Sequence, residues 1–159
     1  MKEKIKGLIP YLAIIIGVIL IRTFLVTPVR VDGTSMNKTL NNGDLLILSK
    51  VAKIDRDDII VLTNDNEKII KRVIGMPGDT VEIKNDRIFI NDKKIKDEHA
   101  FGKTSDYSLI TLKADEYFVL GDNRLVSKDS RYFGPVKKED IEGQAIFRFF
   151  PFTKIGKLK

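Results

Sequence analysis

A serine in a short polar stretch is the first residue of this chain whose setting indicates covalent chemistry. Ser35 lies within residues 31–40, after a long apolar segment and before the first strand-like run. A serine hydroxyl is a weak nucleophile until a neighbouring base removes its proton. The chain has one histidine, His99, which follows a run of Lys, Asp and Glu residues, so we expect it to be exposed. A Ser-His-Asp hydrolase that uses His99 is therefore the less favoured alternative, and another base is needed.

A lysine within an apolar strand is the candidate for that base. Residues 68–74 read Lys-Ile-Ile-Lys-Arg-Val-Ile, and the alternation of a strand places Lys71 on the same face as Ile69 and Val73. An amine held among apolar side chains is costly to charge, so its pKa falls and it can act as a general base. The alternative is structural, because lysine on an edge strand commonly guards a sheet against aggregation.

A third polar segment, residues 121–131, follows directly after an apolar strand. Its charged and hydroxyl side chains have complementary partners: Asp122 and Asp129 can pair with Arg72 and Arg131, and Ser127 can hydrogen-bond a nearby amine. A solvated loop is one alternative. A calcium loop is another, but the segment lacks the alternating acidic ligands and terminal glutamate of an EF-hand.

Composition and charge exclude several other functions. The 159 residues contain no cysteine, so disulfides, thiol catalysis and thiolate metal sites are excluded, and one imidazole cannot build a histidine metal cluster. The net charge of +6 is concentrated at the start, since residues 1–31 carry +4 and the remaining residues only +2. A basic surface for nucleic acid is therefore not expected, and we predict no cofactor, no metal and no nucleic-acid partner.

The elements that must position these segments begin with an apolar run, Leu8–Val26. As a helix its nineteen residues would span about 28 Å, close to the ~30 Å hydrocarbon core of a bilayer. Arg22 is its one charge, and the preceding Lys2, Lys4 and Lys6 favour a cytoplasmic N-terminus. We therefore predict a cytoplasmic segment at 1–7, a transmembrane helix at 8–26 and an extracytoplasmic domain at 27–159. A cleavable signal peptide is the alternative.

After residue 40 the pattern changes to short strands separated by turns, which is typical of an all-β sandwich or barrel-like fold. A hairpin is expected around Asn85-Asp86, and one helical turn at 137–142. The predicted strands are Leu45–Leu48, Ile59–Leu62, Lys68–Ile74, Val81–Lys84, Arg87–Ile90, Ser108–Leu112, Glu116–Leu120 and Gln144–Phe150.

The three polar segments together resemble the type I signal peptidases (leader peptidases), which are membrane-bound Ser-Lys serine endopeptidases. The matches occur in the family's order and spacing, behind an N-terminal anchor, and cover nearly the whole chain. The matching motifs are Gly33-x-Ser35-Met36, Lys71-Arg72-x-x-Gly75-x-Pro77-Gly78-Asp79 and Gly121-Asp122-Asn123-x-x-x-Ser127-x-Asp129-Ser130-Arg131.

The resemblance implies a mainly β Ser-Lys protease fold, shared with self-cleaving SOS repressors, and cleavage of signal peptides from secretory preproteins after a small-x-small pattern. Ser35 would be the nucleophile and Lys71 the general base. The other implied roles are that Ser127 orients the amine, Asp129 pairs with Arg131, Arg72 pairs with Asp122, and Gly33 and Met36 belong to the substrate site. The protein would act at the cell membrane, in contact with lipid, with its catalytic domain on the outer face.

Two departures from the family pattern concern the serine segment. Lys38 stands where the family usually has proline, which removes a rigid φ and adds a charge. Gly33 lacks the side-chain hydroxyl that some members use in the oxyanion hole, so backbone N–H groups must fill that role. These departures leave a catalytically inactive, membrane-tethered β module as an alternative. A self-cleaving repressor would need a DNA-binding helix-turn-helix where the apolar segment lies.

Overall fold

The computed structural model describes residues 10–20 and 25–158 of the chain. Residues 10–20 are helical, and their apolar side chains are almost all exposed. Within the described ranges, no helix has both the length and the apolar character needed to cross a membrane. The rest of the predicted cytoplasmic segment and transmembrane helix, residues 1–9 and 21–24, lies outside the described residues.

The part of the chain that follows is mainly β, as the sequence predicted. A one-turn helix, Ser130–Phe133, and two 3₁₀ turns, Lys138–Asp140 and Phe152–Lys154, interrupt the strands. The strands are β1 Val26–Arg30, β2 Leu45–Ser49, β3 Ile59–Asn64, β4 Glu67–Gly75, β5 Thr80–Lys84, β6 Arg87–Ile90, β7 Lys93–Lys94, β8 Tyr107–Thr111, β9 Glu116–Leu120, β10 Val136–Lys137, β11 Ile141–Phe150 and β12 Gly156–Lys157.

The strands form two antiparallel sheets. The larger sheet has the order β1-β2-β11-β3-β4-β9-β10, with β12 added alongside β11, and the smaller has the order β7-β6-β5-β8. The β5–β6 hairpin turns at Asn85-Asp86, both with positive φ, as expected of a two-residue hairpin loop. Burial alternates along β5 in the small sheet, whereas β3 and β9 of the larger sheet are buried on both faces, and their residues are mostly β-branched, aromatic or leucine, which favours strands.

Three clusters of buried side chains hold the sheets together. One packs the segment after β1 onto β2, β3 and β11, and includes Leu40 and Leu46. A second joins the small sheet to β4 and β9, with Phe118 fully buried at its centre. A third covers the other face of β3 and β9 and includes Val73. Together they fix β4 and β9 in the interior of the protein.

Most predicted strands match the observed ones within a residue or two, whereas β11 begins three residues before the predicted Gln144, and β1, β7, β10 and β12 were not predicted. Val26, the predicted last residue of the membrane segment, instead begins β1 and pairs with Ser49. The third polar segment, residues 121–131, leads into the helix Ser130–Phe133, because the Asp129 carboxylate accepts from the Arg131 N–H and caps its first turn. Neither apolar periodicity nor turn residues indicate these features.

Candidate active site

The Ser35 loop, residues 31–40, is a tight turn closed at its base by backbone hydrogen bonds. The Val31 N–H donates to the Asp44 carbonyl at 2.8 Å, and the Gly43 N–H donates back to the Val31 carbonyl at 2.9 Å. Inside the loop the Leu40 N–H donates to the Met36 carbonyl at 2.8 Å. These contacts hold the Ser35 side chain toward β4, partly exposed at the rim of a cleft.

Lys71 reaches Ser35 from the middle of β4. Its Nζ lies 2.9 Å from Ser35 Oγ and 3.0 Å from the Ile70 carbonyl oxygen. Only 3% of Lys71 is exposed. The strand pairs with β3 from Glu67 to Arg72, while pairing with β9 begins at Arg72, so Lys71 lies in the part of β4 that is paired on one side only. Because its side chain is buried rather than exposed to solvent, it does not serve as a guard against aggregation.

Burial sets the protonation of this amine. Desolvation lowers the pKa of Lys71 from 10.5 to about 8, against the opposing effect of the Asp129 and Asp122 carboxylates, which favour the charged form. A substantial fraction of the amine is then neutral near pH 8. A neutral amine 2.9 Å from a serine hydroxyl has the geometry of a general base.

The third predicted segment packs directly behind the serine and lysine. Gly121 directly follows β9, and a Cβ at this position would lie 2.2 Å from Ser127 Oγ and 2.6 Å from the Ser35 carbonyl oxygen, so only glycine fits. Ser127 is 2% exposed, and within the described part of the chain its Oγ has no hydrogen-bond partner. Its predicted contact with the lysine amine is therefore not formed here, although the hydroxyl is brought to the site.

Two buried ion pairs support this segment. Arg72 binds Asp122 through two hydrogen bonds of 2.9 and 2.7 Å, and both side chains are 1% exposed. Arg131 binds Asp129 in the same bidentate manner at 2.8 and 2.9 Å. The second Asp129 oxygen also accepts from the Gly121 N–H at 3.0 Å. The pairs thus tie the 121–131 segment to β4 and to the end of β9.

Three further residues of the site were given no role from the sequence, although Asn123 belongs to the third motif. Asn123 donates from its backbone to the Ser35 carbonyl at 2.9 Å and from Nδ2 to the Thr34 carbonyl at 3.2 Å. The buried Arg124 guanidinium binds Gly121, Thr104 and Asp97. The Thr39 hydroxyl donates to Asp122 Oδ2 at 2.5 Å. A buried carboxylate needs several donors, so Asp122 itself was the signal that partners beyond Arg72 should exist.

Two cavities open on either side of the Ser35 and Lys71 side chains. The first has a volume of about 460 Å³ and lies between β1 and β4. The second, about 310 Å³, lies beside the β3–β4 turn. The first is lined by Thr27, Pro28, Val29, Arg30, Asp32, Ser35, Val61, Lys68, Ile69, Ile70, Lys71 and Glu142. Ser35, Ile69 and Lys71 line the second as well.

Two residues expected at the substrate site lie outside both cavity linings. Met36 is 2% exposed and packs inward against the core cluster of β2, β3 and β11, because the turn after Ser35 directs its side chain away from the cleft. Gly33 has a positive φ of 90°, and its N–H donates to Asn42 Oδ1 at 3.1 Å. The Gly33 N–H is therefore already hydrogen-bonded, which leaves the Ser35 N–H as the candidate for an oxyanion donor.

The remaining sequence candidates are placed away from the reacting atoms. Lys38 extends from the Ser35 loop over the ring of Phe101, 4.3 Å from its centroid. His99 lines a separate cavity with Arg56 and neighbouring aspartates, and it does not line either cavity that contains Ser35. Over residues 10–20 and 25–158, no three acidic or histidine side chains converge into a group that could hold a metal ion.

Comparison with known proteins identifies the family to which the sequence is similar. The family model described as signal peptidase, peptidase S26, matches residues 3–150. The signal peptidase I of Bacillus amyloliquefaciens is 40% identical over 166 residues, covering 92% of this chain and 90% of that protein. The signal peptidase I of Streptococcus pneumoniae strain R6 is 38% identical over 189 residues, covering 92% and 93%.

A solved structure supports the same similarity. The crystal structure of a signal peptidase I from Enterococcus faecalis V583 superposes with a TM-score of 0.54 at 35% sequence identity. The match covers 59% of this chain and 97% of that chain.

Proposed function

The chain belongs to the signal peptidase family, peptidase S26, and is a serine endopeptidase; we propose that Ser35 and Lys71 form its catalytic dyad, used to cleave signal peptides from secretory preproteins. The observation that carries the proposal is the 2.9 Å separation between Ser35 Oγ and a buried Lys71 amine whose pKa is lowered to about 8. The partners proposed from this are preproteins with small-x-small cleavage sites.

The reaction is acyl transfer in two stages. Neutral Lys71 accepts the Ser35 proton as Oγ attacks the scissile carbonyl, and the resulting ammonium then protonates the departing amine of the mature protein. The amine next activates water, which releases the signal peptide from Ser35. The Ser35 backbone N–H stabilises the oxyanion in both stages. The Ser127 hydroxyl, buried and unpaired, is proposed to bind the amine and aim its lone pair at Ser35.

The substrate is proposed to bind as an added strand in the larger cavity. There β1 is the edge strand of the sheet, and the part of β4 before Arg72 is paired on one side only. An extended peptide between them can hydrogen-bond with both backbones, which is β-augmentation. Val61 and Ile70 wall this cavity beside Ser35, and β-branched walls of this kind leave room for small side chains.

A membrane location follows from the N-terminal sequence. The apolar run 8–26 with Lys2, Lys4 and Lys6 before it favours an uncleaved anchor whose N-terminus is cytoplasmic. Protease added to spheroplasts is therefore expected to digest the region after Val31, while a tag fused before Lys2 stays protected until the membrane is lysed. Protection of both ends, or digestion of the tag alone, would contradict this orientation.

The function is tested by incubating the purified chain in detergent with a preprotein and sequencing the new N-terminus of the product. Cleavage after a small-x-small site is expected, with loss of cleavage in Ser35→Ala. His99→Ala is the matched control and should retain activity, because His99 lines neither cavity at Ser35. An inactive β module would show no cleavage in wild type, and inactivity of His99→Ala with an intact fold would favour the His-based alternative.

A further inference from the structure

Two consecutive residues, Asp122 and Asn123, hold the Ser35 loop at two points. At Ser35 the carbonyl oxygen accepts from the Asn123 N–H at 2.9 Å. Four residues later the Thr39 hydroxyl donates to Asp122 Oδ2 at 2.5 Å, across 83 positions of sequence. The stretch that carries the nucleophile is therefore fixed both at Ser35 and at its far end, against the same two-residue segment.

The second fixing point connects to the strand that carries the lysine. Asp122 Oδ2 also accepts from Arg72 Nη2 at 2.7 Å, and Arg72 is the residue after Lys71 in β4. The Asp122 side chain is 1% exposed, so water competes little for these hydrogen bonds. One carboxylate oxygen thus connects the Ser35 loop, through Thr39, to the backbone position next to the base.

We propose that Thr39 is a positioning residue that sets the distance between Ser35 Oγ and Lys71 Nζ through its hydrogen bond to Asp122. The proposal rests on the function proposed above for these two residues. Attack and proton transfer require a separation close to the 2.9 Å observed, and small misplacements of reacting groups are costly in rate. Thr39 lines neither cavity, and the hydrogen bonds of Lys71 go to Ser35 and Ile70, so Thr39 acts on the dyad through the loop and through Asp122.

The loop should remain folded without the hydroxyl. The Thr39 carbonyl still accepts from Arg148 Nη1 at 2.9 Å, and Leu40 stays fully buried in the core. Thr39→Val keeps the shape of the side chain and removes only the donor. Thr39→Ser keeps the donor and removes a methyl group. The matched control is Thr80→Val in the small sheet, which loses a hydroxyl that contacts the exposed Asn91.

The experiment measures kcat and KM of the full chain in detergent on a preprotein, together with amide hydrogen exchange of residues 34–40. Thr39→Val is expected to lower kcat about tenfold, since a hydrogen bond to a charged carboxylate is stronger than a neutral one. KM should stay within about twofold, because the cavity linings are unchanged. Exchange in residues 34–40 should accelerate, Thr39→Ser should recover most of kcat, and Thr80→Val should match wild type.

A Thr39→Val variant with wild-type kcat would overturn the positioning role. If the thermal midpoint of that variant were also lowered, the hydrogen bond would be purely structural. Equal losses in Thr39→Val and Thr39→Ser would also count against it, because the hydroxyl would not be the active feature. Failure of the proposed function is seen separately, as a wild type that cleaves no better than Ser35→Ala. The exchange measurement still tests the tether in that case.

Discussion

Replacing Lys71 by arginine is expected to lower preprotein cleavage by about 10³-fold while leaving substrate binding intact. A guanidinium remains protonated in proteins, so it cannot accept the Ser35 proton even when it reaches the same position. Lys71→Met removes the base altogether and should be equally inactive. Steady-state rates of the purified variants provide the measurement. Near-normal turnover by Lys71→Arg would show that Lys71 is not the base.

The pH dependence of the wild type tests the same assignment without a substitution. Because the pKa of Lys71 is lowered to about 8, activity should rise with pH through that value and level off above it. At pH 7.4 roughly a fifth of the amine is then neutral, against about one part in 10³ for a free lysine. A rate that rises only toward pH 10 would mean that burial does not prepare the amine for catalysis.

Stability provides the control that the inactive variants are folded. A lysine whose folded-state pKa is about 8, against 10.5 when unfolded, opposes folding fully below pH 8 and not at all above 10.5. At ~1.36 kcal/mol per pH unit this cost is about 3 kcal/mol at neutral pH. Lys71→Met should therefore resist urea better than wild type at pH 7, with an advantage that shrinks as the pH rises from 8 to 10.5.

The sequence predicted the strands because they depend on local information, and the resemblance to a family supplied the pairing partners at the site. Alternating apolar residues identify β5, and a continuous apolar run identifies β9, each from its own composition. Charge alone left open which aspartate pairs with which arginine, and the resemblance to the signal peptidases implied the Arg72–Asp122 pair that the structure contains.

The features that the sequence did not predict depend on the directions of side chains and on contacts between distant parts of the chain. A motif identifies Met36 as a neighbour of the nucleophile, but the direction of its side chain is set by the core cluster into which it packs. Thr39 and Asn123 bind across more than 80 positions of chain, and although Asn123 belongs to a motif, its local sequence does not indicate its partner. The start of β1 at Val26 was missed because its apolar residues continue the preceding apolar run.

The largest loss of stability is expected from Arg72→Met. The substitution leaves the Asp122 carboxylate buried, with Thr39 as its hydrogen-bond donor and without its paired guanidinium. Removing one partner of a buried ion pair typically costs about 3–5 kcal/mol, because the remaining charge keeps its desolvation penalty. Lys53→Met is the matched control, since the Lys53–Asp55 pair is 85% and 62% exposed and such pairs contribute at most about 1 kcal/mol.

Urea unfolding of the full chain in detergent, followed by far-ultraviolet circular dichroism, measures both variants. Adding Asp122→Asn to Arg72→Met should recover part of the lost stability, because the uncompensated charge is then removed while the amide can still accept from Thr39. Recovery identifies the buried charge as the cause of the loss, and no recovery would point to lost packing of the arginine side chain. The Arg72–Asp122 pair is expected to hold the 121–131 segment against β4. This role would be contradicted if the free energies of unfolding of Arg72→Met and Lys53→Met differed by less than about 1 kcal/mol.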